Sequence, residues 1–412
     1  MPPSSDGPNA ADSRATDGGV EEARTADGGV APSGTRRRTS VPITLARAVA
    51  AATLAVLLVS SVALFEFLGV PAGAGATGAT GGTGPAPTSD PTVATPAKPL
   101  PQFSGSILFV RDGDIWSATS AGFTQLSRKG TDQFPVWAAD GRRVFFTETD
   151  RQLAKAPSAG QFSNITLEYP TLMSMAADGS DRKSILSSLI KLAGPPDAKF
   201  FFQIIEPDLS PDGTQLALVS DAADPLGADV TLSVLPVSGG KVRTLPVKDN
   251  RGLGHNDPSW SPDGKSIAFT YNDGAGGIGT PRIGVYDIAT RKLRFVGGAG
   301  YANPDWSPDG RDLVVERTNG KGRDLVVLDA TSGTVVNRLT TDGQSFGPTF
   351  SPDGSKVAFL HLDGQAIDIR LLSLSTDGRF TVTSNQAVTA DGHIEGRSPL
   401  SWSSAAGAGT PP

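Results

Sequence analysis

The stretch "PSWSPDGKSIAF" at residues 258–269 decides the fold, because close copies of it recur along the chain. They read "PVWAADGRRVFF" from Pro135, "PDLSPDGTQLAL" from Pro207, "PDWSPDGRDLVV" from Pro304 and "PTFSPDGSKVAF" from Pro348. Within one copy, Ser261-Pro262-Asp263-Gly264 spells a turn. Pro presets φ at the second position, Asp suits the third, and Gly accepts the positive φ with which a hairpin re-enters its sheet. Beyond the turn, Ile267, Ala268 and Phe269 are all apolar, so this strand is covered on both faces. "RIGVYDI" at 282–288 and "KLRFVG" at 292–297 supply two further strands. Four antiparallel strands buried on both faces by like neighbours make one blade of a β-propeller.

The copies agree position by position. Three and five residues beyond the turn glycine stand Val144 and Phe146, Leu216 and Leu218, Ile267 and Phe269, Leu313 and Val315, Val357 and Phe359. The slot before the turn holds Trp137, Leu209, Trp260, Trp306 and Phe350. A large side chain at the same place in every copy reads as blade-to-blade packing rather than a cofactor box. The turn glycines fall at 141, 213, 264, 310 and 354, and the later intervals of 51, 46 and 44 residues are ordinary blade lengths. The first interval is 72, which predicts an insertion in blade two within about 151–202. Before the first copy, "SILFV", "DIWSAT" and "FTQLS" match strands two to four of a blade without its first strand. At the far end, "PLSWSS" at 399–404 matches a first strand without partners. Joined, they make a shared blade and a closed ring of six, which removes both sheet edges. The expected fold is an all-β, six-bladed propeller of four-stranded antiparallel blades over 104–403, preceded by one transmembrane helix.

The pattern P-x-[WF]-S-P-D-G-x-x-φ-x-φ, where φ is an apolar residue, resembles the WD40-like repeat of TolB-type six-bladed propellers. Five copies carry the resemblance across residues 104–403. The first departs from it with Ala138-Ala139 for Ser-Pro, and no Pro-Asp-Gly follows Trp402. The resemblance implies an extracytoplasmic protein-binding propeller, a fold shared with the propeller domains of some serine peptidases. An apolar run stands where the family's namesake has a partner domain, so a role in the Tol system does not carry over.

That run, "AVAAATLAVLLVSSVALF" at 48–65, is 18 residues without a charge. As a helix it spans roughly 27 Å, close to the hydrocarbon thickness of a bilayer. Arg36, Arg37, Arg38 and Arg47 precede it and only Glu66 follows closely, which places the N-terminus in the cytoplasm and the propeller outside. A cleaved signal peptide is the rival reading, but 47 residues is a long stretch to precede its apolar core. The expected organisation is a disordered cytoplasmic tail at 1–40 and a transmembrane signal anchor at 41–70. An Ala/Gly/Pro/Thr linker follows at 71–103, then the propeller at 104–403 and a disordered tail at 404–412.

Composition excludes several chemistries. The net charge of −6 gives no basic face for nucleic acid, and the absence of Cys removes disulfides, thiol catalysis and Cys-ligated metals. Gly343-Gln344-Ser345-Phe346-Gly347 matches the nucleophile pattern G-x-S-x-G in letters, but Pro348 and a strand follow it where that motif needs a helix. No cofactor or metal is expected. In a propeller, the loops from strand four to the next strand one and from strand two to strand three open on one face. All three His residues map there: His255, His361 and His393. Asp132, Gln133, Glu206, Asn256, Asp257, Tyr301, Asn303, Glu395 and Arg397 are near them in the pattern, a candidate mouth for a ligand or partner. The leading expectation is a membrane-anchored, non-catalytic binding or scaffold module for a protein, peptide or envelope glycan. The alternatives are a lactonase- or lyase-type propeller enzyme with a channel metal, and a transmembrane sensor coupled to the cytoplasmic tail.

Overall fold

The computed structural model describes residues 93–94, 99–158, 160–247, 252–273, 280–318 and 320–404. The expected cytoplasmic tail, the apolar run at 48–65 and most of the linker lie outside them, as does the tail beyond Ser404. Among the described residues no helix is long and apolar enough to cross a membrane.

Six sheets form the ring. From the channel outward, blade two runs Asp132–Trp137, Arg143–Ser158, Gln161–Ala176 and Lys183–Ser187. Blade three runs Ile205–Leu209, Gln215–Ser220, Thr231–Pro236 and Arg243–Thr244, and blade four Gly252–Trp260, Ser266–Asp273, Thr280–Asp287 and Lys292–Val296. Blade five runs Tyr301–Trp306, Asp312–Thr318, Arg323–Asp329 and Val335–Arg338, and blade six Ser345–Phe350, Lys356–Asp363, Ala366–Leu374 and Val382–Ala387. Blade one is the shared one. Its inner strand is Ser401–Ser403, which pairs antiparallel with Ser106–Arg111 through Ser106↔Ser403, Ile107↔Trp402 and Leu108↔Ser401. Asp114–Thr119 and Gly122–Gln125 complete it, and Val93–Ala94, from the stretch read as linker, pairs along its outer edge.

The repeated turn has a physical reason at each letter. In the four full copies the Ser hydroxyl donates to the Asp carboxylate two residues on, at 2.6–2.8 Å. The same Asp accepts the N–H of the residue after the glycine at 3.0–3.1 Å. The glycines donate back to the Ser carbonyl at 2.8 Å and sit at φ of +68° to +71°, a region where a Cβ is strained. In the first copy Ala138 offers no hydroxyl, yet Gly141 N–H still bonds the Ala138 carbonyl at 2.8 Å and Asp140 still accepts from Arg142.

The core is divided by the ring. Each apolar cluster of the propeller lies between two adjacent blades. Ile267 and Phe269 join Ala217, Leu232 and Val234 of blade three, whereas Ala268 between them joins Leu313, Val315 and Leu328 of blade five. Val357 and Phe359 likewise face blade five while Ala358 and Leu360 face blade one. The slot residues Trp137, Trp260, Trp306 and Phe350 all turn to the preceding blade. Each large side chain so buried stabilises by about 1.5–3 kcal/mol.

The insertion is a ribbon. Arg143–Ser158 and Gln161–Ala176 pair over their full length, far beyond the blade, and a second hairpin of Leu189–Lys191 and Lys199–Phe201 lies against it. Ala154, Ala156 and Leu167 form its own small core with Phe200 and Phe201. Phe202 turns instead into the interface of blades two and three.

Blade one depends on three paired residues at the end of the ring, and Ser398 and Ser401 also bind blade two. A chain ending at residue 396 is expected to lose cooperative unfolding in urea and to elute as aggregates. Gly213→Ala and Gly354→Ala are each expected to lose about 1–2 kcal/mol in the same measurement, because strain rather than crowding sets the loss. A Cβ at Gly213 would meet nothing within 4 Å, and one at Gly354 only Pro308 at 3.5 Å.

Candidate functional site

The inner strands meet around a central channel. Six prolines line it, one per blade: Pro135, Pro207, Pro258, Pro304, Pro348 and Pro399. In blades two to six the residue before this proline breaks the strand register, and its φ is positive: Phe134 +53°, Glu206 +54°, Asp257 +51°, Asn303 +50° and Gly347 +56°. Each is a β-bulge that turns the strand and frees a backbone N–H. A left-handed residue other than glycine is uncommon, so four of them around one channel mark a constrained site.

Neighbouring blades answer the freed N–H groups. Phe134 N–H donates to Ser398 Oγ at 2.7 Å, Asp257 N–H to Glu206 Oε2 at 2.7 Å, Asn303 N–H to Thr270 Oγ1 at 2.8 Å and Gly347 N–H to Glu316 Oε1 at 2.8 Å. Thr270 in turn donates to Asp257 Oδ2 at 2.7 Å, and Asn303 Nδ2 to Glu316 Oε1 at 3.1 Å. Two residues deeper, a second tier alternates around the ring. Trp137 N–H donates to Ser401 Oγ at 3.1 Å, Trp260 N–H to Asp208 Oδ2 at 2.7 Å and Phe350 N–H to Asp305 Oδ2 at 2.7 Å.

Between and below these tiers is a cavity of about 300 Å³. Its lining runs from Glu206, Asp257 and Asn303 down to Trp306, Trp402 and the exposed Pro308 and Pro352 of the repeated turns. The cavity therefore reaches the surface on the turn face. Four carboxylates line it, Glu206, Asp208, Asp257 and Asp305, and no Lys or Arg does. Burial, first of all, raises every one of these carboxyls. Asp208 is pushed up to about 7, with the nearby Asp305 adding to the shift, and Asp305 to about 6. Glu206 and Asp257 are raised together, and the Asp257 charge lifts Glu206 further.

The twelve residues singled out in the sequence do not form one cluster. Glu206, Asn256, Asp257 and Asn303 stand together at the channel, and the Arg397 charge acts on Glu206. His255 is fully buried between blades: its Nδ1 accepts Leu232 N–H at 2.9 Å and its ring lies against Phe269 and Tyr271. Tyr301 belongs to the cluster between blades four and five. Asp132 is fully buried and paired with Arg182, which also bonds Glu148 at 2.7 Å. Gln133 offers its carbonyl to Thr147 at 3.3 Å. His361 stands 3.7 Å from Asp342, and the exposed His393 3.3 Å from Asp112. Glu395 N–H bonds the Val110 carbonyl at 3.0 Å, beside the shared blade.

Ser345 is fully buried and donates to Asp342 Oδ1 at 3.0 Å, and His361, its cross-strand partner, stands 3.7 Å from the same Asp342. Among the described residues no three His, Asp or Glu side chains come together as a metal site. Sequence reasoning missed Asp208 and Asp305. They occupy the variable place between the channel proline and the slot, and only their shared Pro-Asp pair sets them apart.

Raised carboxyls favour the folded state below their ordinary pKa and lose that contribution as pH rises through the folded value. The propeller is therefore expected to lose stability between about pH 4 and 8 on account of Asp208 and Asp305. Asp208→Asn keeps an acceptor for Trp260 N–H. It is expected to flatten this decline and to gain about 1–2 kcal/mol at pH 8 in denaturant titrations, a figure reduced for hydration through the channel.

Three comparisons agree with this architecture. A family model described as the TolB beta propeller domain matches residues 196–405, half of the chain. The TolB homolog of Chlorobium chlorochromatii (strain CaD3) is 33% identical over 104 residues, which is 25% of this chain and 22% of that protein. The chain thus aligns with only about a fifth of that relative's length. TolB from Acinetobacter baumannii superposes with a TM-score of 0.53 at 20% identity, covering 74% of this chain and 68% of the other. The structure of putative TolB from Agrobacterium tumefaciens gives 0.50 at 17%, covering 72% and 93%. At these identities the superpositions speak to the fold alone. With its repeat, its six-bladed ring and the matched family model, the chain belongs to the TolB beta-propeller family.

Proposed function

We propose that this chain is a non-catalytic binding module, anchored in a membrane through residues 48–65, whose extracytoplasmic propeller takes a segment of a protein ligand into its channel. The observation that carries the reading is the channel itself. Every blade contributes to the wall of an approximately 300 Å³ cavity, and inter-blade hydrogen bonds fix the wall before any ligand arrives. A pre-organised concave site loses little entropy on binding. Family membership supports protein as the ligand class. The uncharged run with arginines before it supports the anchor and the orientation.

Affinity capture on the full chain from an envelope extract is expected to return one protein in near-stoichiometric yield. Ser259→Phe, which fills the channel, is expected to abolish that capture without lowering the unfolding midpoint by more than a few degrees. Capture that persists with the channel filled removes it as the site. For the anchor, the full chain is expected to stay with membranes through an alkaline wash and to be digested by protease added outside intact cells. Deletion of residues 48–65 should release it. A full chain recovered in the soluble fraction contradicts the anchor.

A further inference from the structure

The turn face of the ring is built from contacts between successive repeats. A Cβ placed on Gly264 would stand 3.8 Å from Pro211 Cδ, one on Gly310 3.7 Å from Pro262, and one on Gly354 3.5 Å from Pro308. The turn glycines of blades four to six thus lie against the turn proline of the blade before. The series stops at the ring's seam. Blade one has Ser403-Ser404 after Trp402 where blades three to six have Ser-Pro-Asp-Gly, and among the described residues no turn lies over Pro352 of blade six. A groove of about 490 Å³ lies there, between Phe103 and Ser104 on one side and Pro352, Asp353 and Lys356 on the other, with Trp402 at its end. Trp402 is held in place by its Nε1–H bond to the Ser104 carbonyl at 2.9 Å and by an edge contact with Phe103 at 5.6 Å.

Ser351, Pro352 and Trp402 line both this groove and the central cavity. The two are one trough that runs from the rim of the turn face into the channel. Its outer part sets Phe103, Pro352 and Trp402 beside the polar Gln102, Ser104, Asp353 and Lys356, apolar surface with hydrogen-bonding groups at its edge that suits an extended segment. Its inner part is charged on one side only. Asp208 of blade three accepts Trp260 N–H, Asp305 of blade five accepts Phe350 N–H and the Ser259 and Thr349 hydroxyls, and no base lines the cavity. A positive group entering between the two aspartates supplies the charge that the wall lacks, whereas an acidic group would add a like charge at close range.

We propose that the seam groove is the docking site for an extended segment of a partner protein, and that a Lys or Arg of this segment reaches into the channel toward Asp208 and Asp305. This rests on the reading of the channel as a binding site and names the entrance and the charge of the occupant.

The experiment selects random twelve-residue peptides on the full chain in detergent and measures the recovered peptides by calorimetry. Selected peptides are expected to contain Lys or Arg in excess, and replacement of that residue by Gln should weaken binding at least tenfold. Asp305→Asn and Pro352→Trp should each weaken it at least tenfold while the protein still unfolds in one cooperative transition. Should Pro352→Trp fail to fold, Lys356→Trp tests the same groove wall. Lys183→Ala, on the outer strand of blade two, should change affinity less than twofold. Acidic or apolar binders, or binding indifferent to both Asp305→Asn and the groove substitution, overturn the proposal. Binding seen only after removal of residues 405–412 assigns the groove to the chain's own tail and overturns the proposal. A library that yields no binder overturns both this and the channel reading.

Discussion

The structure turns on a backbone N–H. Just before the channel proline the inner strands of blades two to six take a left-handed residue and slip their register, and that bulge frees a backbone donor from its own sheet. A buried orphan donor is expensive, so something must accept it. In this ring the acceptor comes from the preceding blade: Ser398, Glu206, Thr270 or Glu316. Apolar clusters hold neighbouring blades together but are tolerant of small slides. A hydrogen bond at 2.7–2.8 Å is not, so the bulge fixes the angle at which successive blades meet and hence the shape of the channel. Acidic residues stand in a buried channel because backbone donors need them.

The same constraint shows what was legible in the sequence. Turns and slots were legible because each residue there serves a local need that recurs: Ser and Asp close hydrogen bonds within five residues, Gly takes a φ near +70°, and Trp fills a blade interface. Ring closure was legible because two fragments matched complementary parts of one repeat. The bulge was not, because its acceptor lies anywhere from 31 to 264 residues away and its own identity varies from Phe134 to Gly347. His255 illustrates the limit. A polar ring in a loop pattern reads as a surface group, but its Nδ1 answers Leu232 N–H in the neighbouring blade, a need that exists only once the blades are stacked. The cavity's opening on the turn face was equally hidden, since every copy presents that face as uniform scaffold.

The repeat is also informative where it fails. The Ala139 turn of blade two leaves Gly213 without a proline against it, and nothing stands within 4 Å of that position. The seam fails more completely, and there the missing turn opens a groove that joins the channel. A propeller must close somewhere, and this one closes through three residues of an incomplete copy. The joint that closes the ring therefore also borders a groove on the turn face. Docking of a segment at that place would bury Trp402 and brace the closing strand, which couples ligand binding to the stability of the ring.

Six-fold architecture does not make the channel symmetric. At the bulge tier the residues in order from blade one are Ser398, Phe134, Glu206, Asp257, Asn303 and Gly347. At the deeper tier they are Ser401, Val136, Asp208, Ser259, Asp305 and Thr349. All four lining acids come from blades three to five, while blades six, one and two contribute only neutral groups. The seam groove enters between blades six and one, so a segment arriving there passes Asp353 and Lys356 at the rim, then the neutral arc of the channel, and meets the acids of blades three to five across it. A field with this gradient orients a cationic side chain before it makes contact. The neutral arc admits the backbone and the acidic arc chooses the side chain, a division of labour that equal blades would not provide.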